Sequence, residues 1–460
     1  MKKVTHLIRK VFSLIVFFSL PYLSVAQGWT ELGSGVNALG ADSMIFSTAT
    51  NLQGEVFASG WFTNASGKYY VAKWDGSNWV ELGSGTNALN ANSPIRGLCT
   101  DGSGNVYAAG YFTNSSGKCY VAKWDGNNWT ELGTGSTALN ANSSIQCIAV
   151  DAWGNVYAAG SFTDSSGHCF AAKWNGNSWA RLGTGTNALL VNYQFYTITT
   201  DNTGNVYSGG MFTDSSGKWY IARWNGSTWT KLGTGINALN ADGPIYTIKT
   251  DPAGNVYAAG MFGNSNHNDY VAKWDGSSWT ELGSGTNGLN ANNYISSINL
   301  DASGNVYVGG QFTNSSNKCY VAKWDGSSWS ELGAGANALN ANRYISSVAT
   351  DTSGNVYASG NFSNSNGKRY VAKYQEINEG VTNTGVNGKV EVFPNPAGHD
   401  VTVRGKGHIQ VIALTGKIVY DAESGVIMNT IDVSGWCNGG YVCIISDGNV
   451  KSSTIVVVNH

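Results

Sequence analysis

The sequence predicts an all-β protein: a seven-bladed β-propeller of 50-residue, four-stranded repeats closed by a split blade, followed by a small β-sandwich C-terminal domain. Three observations predict it. Written in rows of fifty, the chain keeps register without a gap for seven rows, with Asp101, Asp151, Asp201, Asp251, Asp301 and Asp351 in one column headed by Asn51. Gly-Asn-Val-Tyr follows in six of those rows, as at Gly104 to Tyr107. The last row breaks off at Tyr374, and its missing Trp-x-x-Leu-Gly end stands at the other end of the array, as Trp29 to Gly33. A fixed period near fifty marks units that bury their faces only against neighbours.

Each unit reads as four strands. In one row Asn105 to Phe112 and Cys119 to Trp124 are β-rich runs, Trp129 to Leu132 is a short outer strand, and Ser144 to Val150 opens the next unit. Asp125-Gly126 between two such runs is a hairpin signal, because glycine accepts the positive φ that tight turns demand. The Asp-x-x-Gly turn joins first and second strands, the Asp capping its own turn. Two tryptophan columns, at 74, 124, 174, 224, 274, 324 and at 29, 79, 129, 179, 229, 279, 329, read as blade-packing residues.

Composition narrows the function classes. Charged residues are 12% of 460, with 60 Gly, 17 Trp and 23 Tyr, and the net charge is −2. No basic face exists to neutralise phosphates, so nucleic acid is excluded as a partner. Lys2, Lys3, Arg9 and Lys10 precede an apolar run, Val11 to Leu20, and Ser24-Val25-Ala26 offers a cleavage site; residues 1–26 therefore read as a secretory signal peptide. No further run is long enough to span a membrane. Seven cysteines form no required framework, leaving open one local bridge between Cys437 and Cys443.

No catalytic constellation, metal set or cofactor site emerges. His168 and His267 sit in polar loops without metal-ligand spacing. The unique carboxylates Asp42, Asp242 and Asp269 form no acid and base pair that sequence alone can argue.

The two faces of the ring differ. Short turns line one, while the other carries the longer second-to-third loops and the blade connections, where function usually resides. Positions there diverge while their flanks repeat. At the end of the second strand stand Trp61, Tyr111 and Gln311; at the start of the innermost strand stand Arg96, Gln146, Tyr196 and Tyr246; just before it stand Tyr193, Tyr294, Arg343 and Tyr344. These residues are the candidate ligand-binding face.

After Tyr374 the repeat ends. Residues 375–388 read as a polar linker, and residues 389–460 as a separate β-rich module. It carries Phe393-Pro394-Asn395-Pro396-Ala397, a central Gly416-Lys417 turn, and Asp432-Val433-Ser434 followed by Gly440-Tyr441. As a set these resemble the C-terminal sorting domain of the type IX (Por) secretion system of Bacteroidetes. The resemblance implies that Pro394, Asn395, Pro396, Gly416, Lys417, Gly440 and Tyr441 belong to a sorting signal recognised by the secretion machinery, placing the cargo outside the cell or on its surface. The blades are similar to kelch-like and other secreted bacterial propeller repeats. The expectation is a monomeric, exported binding module, residues 27–374, for a polysaccharide or a surface protein. A polysaccharide-acting enzyme and a purely structural surface protein are the alternatives.

Overall fold

A computed structural model of the chain describes residues 28–375 apart from 192 and 334, and in the tail residues 391–393, 397–404, 407–413, 417–425, 428–447 and 450–458. The expected leader, 1–26, and the expected linker beyond residue 375 lie outside the described residues.

Seven four-stranded antiparallel sheets form the blades of a propeller. In the second blade the strands are Ile95–Thr100, Val106–Gly110, Ala122–Trp124 and Trp129–Glu131, paired in chain order. The second strand is buried at every position in all seven blades, since a blade packs neighbours on both faces. The third strand is shorter than its β-rich run suggested. Cys119 leaves the ladder to bridge Thr113 and Ala141, so the following connection takes its backbone bonds. Gly110 marks a close approach: a Cβ there would lie 2.4 Å from the carbonyl oxygen of Pro94, where the chain passes under the innermost strand.

The ring closes through a split blade. Gly28–Glu31 pairs antiparallel with Ala372–Gln375, in the register Gly28 to Gln375, Trp29 to Tyr374, Thr30 to Lys373 and Glu31 to Ala372. The seventh blade thereby takes its outer strand from the opposite end of the array.

The tryptophan columns are half-buried, and the largest fully enclosed side chains are Phe and Tyr instead, among them Phe112, Phe162, Tyr157 and Tyr307. In the outer column the indole N–H finds a protein acceptor. Trp79, Trp129, Trp179, Trp229, Trp279 and Trp329 each donate to the carbonyl of a leucine in the preceding blade, at 2.7 to 3.0 Å. Trp29 donates to Leu332 O at 2.8 Å, carrying the same tie across the seam.

The Asp column caps turns. Asp101 Oδ1 accepts the amides of Ser103 and Asn105, while Oδ2 accepts Asn105 Nδ2 and the Tyr107 hydroxyl. Burial works against the carboxylate, but these bonds outweigh it and hold its pKa below the ordinary value. In the first row Asn51 replaces Asp and Phe57 replaces Tyr, so no hydroxyl is left without its acceptor.

The tail unit has two sheets. One contains Glu391–Phe393, Asp400–Arg404 and Met428–Asp432; the other contains Gly407–Ala413, Ile418–Ser424, Gly439–Asp447 and Val450–Val458. Both contribute to one core, including Val401, Val403, Ile431, Ile409, Val411 and Val456. Cys437 is exposed and Cys443 buried, both as free thiols, so the local bridge left open by the sequence is not formed.

Candidate functional site: the mouth of the central channel

The innermost strand of every blade lines a central channel of about 560 Å³. Its mouth lies where these strands begin, on the side of the long loops. The second position of the strand varies among the blades: Phe46, Arg96, Gln146, Tyr196, Tyr246, Ser296 and Ser346 all line the channel, joined by Tyr294 and Tyr344.

One half of the mouth is aromatic and hydrogen-bonded. Tyr196 and Tyr246 meet edge to face at 5.3 Å, and Tyr246 and Tyr294 at 5.6 Å. Gln194 Nε2 donates to the Tyr196 hydroxyl and Ser161 Oγ donates to Gln194 Oε1, both at 2.8 Å. Burial, with Tyr344 and Tyr246 nearby, pushes the Tyr294 hydroxyl up to about 12, so it stays protonated and able to donate at neutral pH. On the opposite side Arg96 lies over the Phe46 ring at 4.5 Å, and Phe46 tilts against Trp61 at 6.0 Å. Gln146 Nε2 reaches Ser144 Oγ at 2.9 Å and the Tyr111 hydroxyl at 3.5 Å. Tyr344 donates to the sulfur of Met44.

The structure thus gathers Arg96, Gln146, Tyr196, Tyr246, Tyr294 and Tyr344 in the channel, with Trp61 and Tyr111 as half-exposed rim contacts. Gln311 and Arg343 line instead a separate cavity of about 480 Å³ between the last two blades, with Asn292, Asn342, Cys319 and Tyr344. Tyr193 is 61% exposed and lines neither.

Sequence reasoning did not single out the deeper wall. One residue below the mouth, Ser47, Thr197, Thr247, Ser297 and Ser347 each accept a backbone amide from the next blade, as in Ile248 N–H to Thr197 Oγ1 at 3.1 Å. Two residues further down Lys249 lines the channel, open to its solvent yet ringed by protein, and burial lowers its pKa. Its charge is felt by Cys99, three blades away, whose thiol burial pushes up to about 12. A mark of this layer was available: Lys249 shares a column with Ala49, Cys99, Ala149, Thr199, Asn299 and Ala349 and is the one ionised side chain in it.

Outside the channel wall, burial and then the charge of Asp242 push the Asp269 carboxyl up to about 6. Asp242 Oδ1 accepts the Gly263 amide at 2.9 Å.

In the tail, Tyr441 is buried and donates to Cys437 O at 2.8 Å, with its ring 4.9 Å from Trp436. Gly440 lies in the strand Gly439–Asp447, and Lys417 is exposed. Pro394, Asn395, Pro396 and Gly416 lie outside the described residues.

Fold and tail together define an exported surface β-propeller. Residues 391–459 match the secretion system C-terminal sorting domain, the type IX signal that directs a chain to the cell surface or outer membrane. No curated protein matches the chain. Among solved structures it is similar to PorZ, described as an essential bacterial surface component of the type-IX secretion system of human oral-microbiomic Porphyromonas gingivalis. That likeness has 15% identity and a TM-score of 0.49, and it covers 91% of this chain but only 60% of PorZ. The WD40 β-propeller domain of Doa1 gives 12% identity, a TM-score of 0.49, and coverage of 76% and 98%. A triple arginine-to-alanine mutant of AofleA from Arthrobotrys oligospora gives 14%, 0.41, and coverage of 69% and 92%.

Proposed function

We propose that the propeller is a surface-displayed binding module that takes a glycan or a surface protein at the mouth of its central channel, and that residues 1–26 export it before the tail hands it to the type IX machinery. One observation carries this reading: the seven blades send five different kinds of side chain, Phe, Arg, Gln, Tyr and Ser, to the same rim, although the scaffold around it repeats almost without change. Rigid aromatic faces beside amide and hydroxyl groups suit a ligand with both apolar and polar edges. Display in many copies on a surface would add avidity for a polymer. A glycan array probed with the propeller tests it, together with a Tyr196→Ala, Tyr246→Ala double variant. Loss of binding at unchanged melting temperature supports the reading; binding retained by that variant overturns the site.

A polysaccharide-acting enzyme is the second reading, favoured by Asp269, whose raised pKa would suit a general acid. A reducing-sugar assay separates the two, since turnover abolished by Asp269→Asn would favour the enzyme.

A further inference from the structure

Resting on that reading, we infer that the channel selects saccharides bearing an acidic group, with Arg96 at the mouth and Lys249 below it receiving a carboxylate or sulfate from a sugar ring held against Tyr196, Tyr246 and Tyr294.

The charges of the channel point one way. Among the described residues that line it, Arg96 and Lys249 are the only basic side chains, and no carboxylate shares the wall. Neither cation has an acidic partner among the described residues. Other cations of the propeller do: Lys73 pairs with Glu55, Arg181 with Asp164 and Lys231 with Asp214. Asp269 and Asp242 do not line the channel, although the Asp269 charge reaches Tyr246. Two unpaired cations in a narrow concavity focus a positive potential down its axis, where low-dielectric walls strengthen attraction to an anion.

The spacing fits a charged sugar. Tyr246 and Lys249 lie on one strand, three residues apart, or about 10 Å at roughly 3.3 Å per residue. A ring seated at the tyrosine level can direct an acidic substituent down toward Lys249 while its outer face remains near Arg96. The hydroxyls between, Thr197, Thr247, Ser297 and Ser347, are engaged in ties between blades. Arg96 keeps its N–H edges available because Phe46 covers only a face of the guanidinium.

Titration calorimetry of the full propeller tests this with three probes: a galacturonic acid oligomer, a sulfated galactan oligomer and an unmodified galactan oligomer. At low salt, at least one charged probe should bind, and Lys249→Gln and Arg96→Gln should each weaken it tenfold or more. Lys249→Arg should restore most of the affinity, and raising salt should weaken binding in the wild type more than in either Gln variant. The carboxylate and sulfate arms identify which acid is read. Equal binding of the neutral oligomer, or charged probes bound unchanged by both variants, overturns the inference while leaving the glycan reading intact. Silence toward all three probes also overturns it; binding of a surface protein in their place would then turn the broader reading to that ligand.

Discussion

At the scale of single residues, the turn network shows how one side chain can be obligatory only because of another. Asp201 accepts from Thr203, Asn205 and the Tyr207 hydroxyl, and Tyr207 is pushed up to about 12 by burial and that carboxylate. Asp201→Ala should cost about 1–3 kcal/mol, because it strands a buried hydroxyl. Combined with Tyr207→Phe it should cost less than the sum, as chemical denaturation in a double-mutant cycle would show. The first row changes both positions together, with Asn51 still accepting the turn amides and Phe57 lacking the hydroxyl. Asp269 works in the opposite sense. Its carboxyl titrates near 6 folded and lower when unfolded, so the folded state holds the proton more tightly. The resulting destabilisation is absent at acid pH, grows as pH rises through the ordinary Asp range, and is complete above about 6. Asp269→Asn should therefore raise the melting temperature more at pH 7.5 than at pH 4.5. The Asp turn was legible in the sequence because its partners lie within six positions. The pairing of Asp269 with Asp242 was not, since it requires two distant loops to meet.

At the scale of elements, strands hold one another by ties that a repeat period displays only partly. Trp229 donates to Leu182 O, 47 positions earlier, and Thr197 accepts from Ile248, 51 positions later. Trp229→Phe should cost about 1 kcal/mol beyond the change in packing, measured by denaturation. The tryptophan column was visible, but its role as an inter-blade donor depends on which carbonyl faces it. The hydroxyl ties are incomplete where Gly97 and Cys147 stand in the column, since one has no side chain and the other only a weak acceptor. Amide exchange should therefore be faster at Ile148 and Ile198 than at Ile248 and Ile298, and a uniform rate would contradict the assigned role of the hydroxyls.

At the scale of the whole molecule, number of blades, seam and tail were all readable, because each is a matter of period and of where the period stops. The channel was only half readable: the rim diverges conspicuously, whereas Lys249 sits among small residues in a column that otherwise looks neutral. Removal of residues 28–33 should lower the melting temperature by many degrees, since it opens the seventh blade and removes the Trp29 tie. Loss of residues 391–459 should leave the propeller folded but absent from the cell surface, as surface proteolysis of intact cells would report. The seam also sets an order of events. The opening strand of the array cannot complete its contacts early, for Trp29 must wait for a carbonyl 303 positions later. A chain interrupted before Gln375 keeps an open blade and lacks the sorting signal as well, so the strand that closes the ring is complete before the signal that follows it.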